Sequence, residues 1–238
     1  MSNKKTTIVT GASRGIGAGL VEAFLREGYN VVATARSASH SLTASSNLAA
    51  VDGDIGTQGI AAKAVETAIE RFGTIDVLVN NAGIFYTKPF TDFTTDDFNS
   101  LISTNFLGFI YITQLTVKHM LKQKSGSVVS ITAALADQPI VGVNASVSMI
   151  TKGGVNTVTR QLAIEYAKHG IRFNAVAPGV VDTPMHKNDP KDSLRALQPM
   201  GKIASIKDVA DAVLYLANAD QVTGEILHVD GGAHAGRW

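Results

Sequence analysis

Seven short apolar runs, separated by longer segments of helical period, restrict this 238-residue chain to few folds. The runs are 6–10, 30–34, 48–52, 75–79, 126–132, 171–177 and 225–229. Most are nearly continuous, as in Thr7-Ile8-Val9 and Ser127-Val128-Val129-Ser130-Ile131, rather than alternating. Continuous apolarity marks strands covered on both faces, as in a parallel sheet. The stretches between them that read as helices are about 15–27, 57–72, 94–123, 145–169 and 205–217. Strands alternating with helices predict an α/β, Rossmann-like, doubly wound parallel sheet of about seven strands, in a single domain over 1–238. One segment, about 179–200, is irregular and carries Pro184, Pro190 and Pro199. A long insertion in a compact domain reads as a lid rather than a linker, here at about 183–200.

Composition narrows the partners. The chain is long enough for one sizeable core. Lys plus Arg number 21 against 20 Asp plus Glu, so neither a nucleic-acid surface nor an acidic partner is expected. With no cysteine there is neither a disulfide nor thiolate chemistry, which fits a reducing cytosol. Met1 to Lys5 runs straight into the first strand, leaving no room for a signal peptide. No apolar run is expected to reach membrane-spanning length. These features predict a cytoplasmic protein without a membrane partner or a metal.

The first strand leads into Thr10-Gly11-Ala12-Ser13-Arg14-Gly15-Ile16-Gly17 and then a helix. Glycines at such a turn allow close backbone approach. The helix start presents unpaired N–H groups and the positive end of its dipole, a natural seat for phosphate. The spacing is G-x-x-x-G-x-G rather than the commoner G-x-G-x-x-G. The second strand ends in Thr34-Ala35-Arg36-Ser37, where an acidic residue would bind a ribose 2′-hydroxyl. Arg14, Arg36, Ser13 and Ser37 instead gather at that corner, and guanidinium forks match a 2′-phosphate. The cofactor expected from these residues is NADP(H).

Asp52-Gly53-Asp54-Ile55 follows the third strand, Asn80-Asn81-Ala82-Gly83 the fourth, and Pro178-Gly179-Val180-Val181-Asp182-Thr183 the sixth. With the glycine turn and Val229-Asp230-Gly231-Gly232, these motifs resemble the classical short-chain dehydrogenase/reductase family over the whole length. The resemblance implies that Gly11, Ser13, Arg14, Gly15, Ile16 and Gly17 cradle the cofactor and that Arg36 and Ser37 reach its ribose phosphate. It implies that Asp54 and Ile55 meet the adenine and that Asn81, Ala82 and Gly83 line the adenosine ribose. Pro178, Gly179, Val181 and Thr183 correspond to the loop that holds the nicotinamide carboxamide. A small-molecule substrate and a homo-oligomer, tetramer or dimer, joined through two long helices are also implied.

The family's chemistry uses a tyrosine, a lysine four residues later, a serine and an asparagine. Asn105 matches the asparagine and Lys152 the lysine, which also holds the nicotinamide ribose. At the tyrosine position stands Ser148, and no tyrosine occurs in 143–152. At the serine position stands Ala133, preceded by Thr132. A phenol can be brought toward neutrality by an ammonium, whereas a serine hydroxyl is far too weak an acid. Ser148 is therefore expected to fill the tyrosine site as a weak hydrogen-bond partner of substrate. Three readings stay open. The proton comes from Tyr86, Asp137 or His186; the substrate, an iminium or activated C=C, needs no strong acid; or the chain binds NADP(H) without turnover, as a sensor or partner subunit.

Overall fold

The computed structural model describes residues 4–236. Seven parallel strands form one sheet: β1 Thr6–Thr10, β2 Asn30–Ala35, β3 Leu48–Asp52, β4 Val77–Asn80, β5 Gly126–Ile131, β6 Ile171–Pro178 and β7 Ile226–Val229. Their order is β3-β2-β1-β4-β5-β6-β7. The winding reverses between β1 and β4, and ligands bind at such a reversal beyond the carboxyl ends of the strands. Successive side chains of a strand point to opposite faces. Val9 accordingly enters one apolar layer with Leu20, Phe24, Val213 and Leu216, while Ile8 enters the other with Ala61, Ile112, Met120 and Phe173. The first layer is covered by α1 (Gly15–Arg26) and α8 (Ile206–Asn218). The second is covered by α3 (Gln58–Phe72), α5 (Gly108–Gln123) and α6 (Ser146–Tyr166).

Local boundaries depart from the sequence reading where long-range partners intervene. β4 begins at Val77 rather than Ile75, whose N–H is held by Gln123 Oε1 at 3.1 Å. A short helix, α2 (Ala38–Ser41), was not foreseen; four residues carry no readable period, and Asp52 captures Ser39 through its N–H and hydroxyl. The expected helix 94–123 is three pieces: α4 (Thr95–Leu101), a π-helical turn Ile102–Leu107, and α5. Thr94 and Asp97 form a capping box at its start. Contrary to expectation, Thr95–Gln123 does reach spanning length and apolarity, although α5 packs on α3 within the domain. The segment expected as a lid holds a single 3-10 turn, Pro184–His186, and α7 (Lys191–Arg195).

Candidate active site

A cleft of about 1000 Å³ runs across the carboxyl ends of the strands and collects the motifs singled out in the sequence. At one end lies the glycine turn. Gly11 and Gly15 have φ of +66° and +56°, and a Cβ on Gly17 would sit 2.1 Å from the Gly11 carbonyl oxygen. The turn is bolted to the end of β4. Asn81 Nδ2 donates to the carbonyls of Thr10 and Gly11 at 2.9 and 3.2 Å. Thr10 Oγ1 accepts from the N–H groups of Asn81 and Ala82, both at 3.0 Å. Arg14 occupies the N-cap of α1 without a side-chain cap bond, so the first N–H groups of the helix face the cleft wall.

Ser13, Arg14, Ile16, Arg36 and Ser37 all line this end. Among the described residues neither arginine has a carboxylate partner. Asp52, paired in register with Ala35, faces Ser39 instead, and the Ser39 bonds hold its carboxyl below the usual range. Asp54 and Ile55 line the wall beside them, as do Asn81, Ala82 and Gly83. Pro178, Gly179, Val181 and Thr183 form the opposite rim. Thr183 closes over the phosphate turn, its Cβ 3.6 Å from where a Cβ on Gly15 would stand. An uncapped helix start, a turn with glycine at 11, 15 and 17, and two guanidiniums without carboxylate partners together fit a phosphorylated dinucleotide.

At the chemical end Lys152 Nζ donates to the Ile131 carbonyl at 2.7 Å, and burial pushes its ammonium down to about 8. A Cβ on Gly83 would lie 3.1 Å from this Nζ and 3.3 Å from Asn105 Oδ1, so glycine is what keeps the passage open. Asn105 sits in the π-helical turn and is buried. Its Oδ1 accepts from Ile84 N–H at 2.8 Å, and its Nδ2 donates to Ile84 O and Thr151 Oγ1, both at 3.0 Å. The side chain is thus spent as a clasp between the β4 loop and α6. π-turns of this kind recur at functional sites.

Ser148 corrects the sequence reading. It is 0% exposed, and its hydroxyl donates to Tyr86 O and accepts from Tyr86 N–H, both at 3.0 Å. That hydroxyl is closed to substrate. Thr132 and Ala133 both line the cleft, but the Thr132 hydroxyl donates to Val176 O at 3.3 Å and Ala133 has none. Of the three other candidate donors, Tyr86 packs against the cluster of Phe93, Leu101 and Val147, and Asp137 bonds His228 at 3.0 Å. Only His186 lines the cleft, with Nδ1 2.7 Å from Asp189. Sequence reasoning missed Phe85, Gln138, Ile140 and Val143, which line the cleft; Leu194 and Leu197, also on its wall, fall within the expected lid. Nothing in the spacing of the first four marks them; they sit on the loops after β4 and β5, whose path the fold decides.

Residues 11–234 match the family model described as enoyl-(acyl carrier protein) reductase. The chain belongs to the short-chain dehydrogenase/reductase family, an oxidoreductase family. It is 34% identical to the 3beta-hydroxysteroid dehydrogenase 1 of Eggerthella lenta, covering 96% of this chain and 93% of that one. The structure of ElxO with NADP bound superposes with a TM-score of 0.91 at 31% identity, covering 98% of this chain and 100% of that one. A 3-ketoacyl-(acyl-carrier-protein) reductase from Brucella melitensis, complexed with NADH, gives 0.91 at 30% identity over 98% of this chain and 100% of that one. A nicotinamide cofactor therefore belongs to the site, and hydride transfer is its chemistry.

Proposed function

We propose that this chain is an NADP(H)-dependent oxidoreductase with a non-standard proton-handling site, acting on a C=O, C=N or C=C bond of a small, largely apolar substrate. The observation that carries it is one continuous cleft joining Arg14 of the phosphate turn and Arg36 after β2 to Lys152. Arg14 and Arg36 would hold the 2′-phosphate, with Ser13 and Ser37 beside them. Lys152 would hold the nicotinamide ribose, and Pro178, Gly179, Val181 and Thr183 the carboxamide. Bound there, the nicotinamide gives or takes a hydride. Asn105 keeps the β4 loop and α6 in register, and Ser148 does the same through Tyr86. Phe85, Leu135, Ile140, Val143 and Met185 give the substrate end an apolar wall.

The same reading includes a cytoplasmic homo-oligomer. Ile102, Phe106, Ile150 and Ile164, exposed on the π-turn and α6, support an interface there, and the cysteine-free sequence suits a reducing compartment. A second reading, binding without turnover, is favoured by Ser148 and Thr132, whose hydroxyls are both spent inside the protein. Fluorescence titration with NADPH and NADH tests the cofactor assignment: NADPH is expected to bind at least tenfold tighter, since a charged hydrogen bond contributes about 1.5–3 kcal/mol. Equal affinities sink it. NADPH oxidation against a panel of ketones, imines and enones then separates the readings, and silence across the panel with NADPH bound favours the second.

A further inference from the structure

Positions 132, 133 and 148 offer the cleft no free hydroxyl. Ser148 is turned into the Tyr86 backbone, Thr132 toward Val176 O, and Ala133 has no hydroxyl. The ammonium carries three N–H donors, and one of them goes to Ile131 O. Lys152 also borders a second space. A cavity of about 10 Å³ lies on its other side, with Ala82, Thr104, Ile131 and Lys152 shared between cavity and cleft. Asn80 and Ser130 line this cavity, and Asn80 Oδ1 and Ser130 Oγ are both buried without a partner in the protein. Asn80 Nδ2 is already given to Thr113 Oγ1 at 3.0 Å. That volume suits one water, and two orphaned acceptors plus an ammonium are the partners a buried water takes.

We propose that Lys152 is itself the proton donor to the substrate, resupplied through one water held by Asn80 and Ser130. The inference rests on the oxidoreductase reading above. A substrate carbonyl carbon receives the hydride from reduced cofactor, the C=O π pair moves to oxygen, and that oxygen takes a proton from the ammonium. The neutral amine then takes a proton from the water, which solvent restores. Burial brings the ammonium to about 8, where a general acid is effective at physiological pH. The other charged groups of the cleft, Arg14, Arg36, Asp54, His186 and Asp189, lie on the phosphate turn, the end of β2, the β3 loop and the expected lid, and none lines the cavity.

Protein carrying [ε-13C]lysine and saturated with NADP+ is titrated by carbon NMR, with Lys152→Arg assigning the resonance. The expected midpoint lies well below the ordinary lysine value, which burial alone already lowers to about 8. NADPH oxidation by 9,10-phenanthrenequinone, an activated diketone, is followed in parallel, and kcat is expected to fall as pH rises through that midpoint. Lys152→Arg is expected to lose about 10²–10⁴ in kcat at saturating NADPH, with the loss of its ribose contact read separately as weaker NADPH binding. Ser130→Val, which fills the cavity, is expected to lower both kcat and the Lys152 midpoint. An unchanged midpoint and kcat in Ser130→Val overturns the water. Unchanged kcat in Lys152→Arg, with reduction abolished in His186→Gln, overturns the proposal and gives the proton to His186. Failure of the wild type to oxidise bound NADPH with this quinone and with every ketone, imine and enone of the panel overturns the oxidoreductase reading and this proposal with it. Normal oxidation with a Lys152 midpoint above about 10, the ordinary lysine value, overturns this proposal alone.

Discussion

Two side chains four residues apart on α6, Ser148 and Lys152, show how one helix turn divides structural from chemical work. Ser148→Ala leaves the half-buried Tyr86 N–H and carbonyl without their partner. The expected cost is about 1–3 kcal/mol in urea unfolding, with NADPH affinity unchanged. Intact stability with lost turnover would instead place Ser148 against substrate. Lys152 imposes a pH dependence of the opposite kind. Its folded value near 8 lies below the ordinary 10.5, so the unfolded chain binds more protons between these values. Stability is therefore expected to rise from pH 8 toward 10.5, and Lys152→Met should flatten that rise in denaturant titrations. At Gly83 the passage is narrow: Gly83→Ala should press on Lys152 Nζ and weaken turnover far more than folding.

Whole elements answer to partners remote in sequence. The start of α4 is held by Thr94 and Asp97, with Lys88 Nζ 2.7 Å from the Asp97 carboxylate. The Lys88 bond, then those from Thr94, hold that carboxyl down to about 2 against 3.8 ordinarily. Its stabilisation is complete above pH 3.8 and lost as pH falls through about 2, so acid unfolding of Asp97→Asn should begin less steeply in that window. The π-turn at Ile102–Leu107 was invisible to periodicity, which reads 94–123 as one helix. Its cause lies elsewhere: Asn105 reaches the Ile84 backbone and Thr151, on two other elements. By contrast α1, β1 and β5 stand almost where their apolar runs place them, because burial on both sheet faces writes the strand directly into the composition.

At the scale of the molecule, cofactor binding and folding are one equilibrium. NADPH at a hundred times its dissociation constant should add about 2.7 kcal/mol, raising Tm by roughly 5–10 °C for a chain of this size. Calorimetry with NADPH and NADH at equal concentration should show the larger rise with NADPH, and Arg14→Ala with Arg36→Ala should erase the difference. The sequence by itself determined the doubly wound sheet, the phosphate turn and the arginine corner, since each is a local pattern of adjacent residues. It also exposed the missing phenol at 148 and the missing hydroxyl at 133. Only the tertiary structure decided where the remaining groups point. Ser148 meets Tyr86 across 62 positions, Asn105 meets Thr151 across 46, and the cavity behind Lys152 joins Asn80 to Ser130 on neighbouring strands. A hydroxyl or amide takes whichever partner folding brings within about 3 Å, and burial then forbids it to remain free.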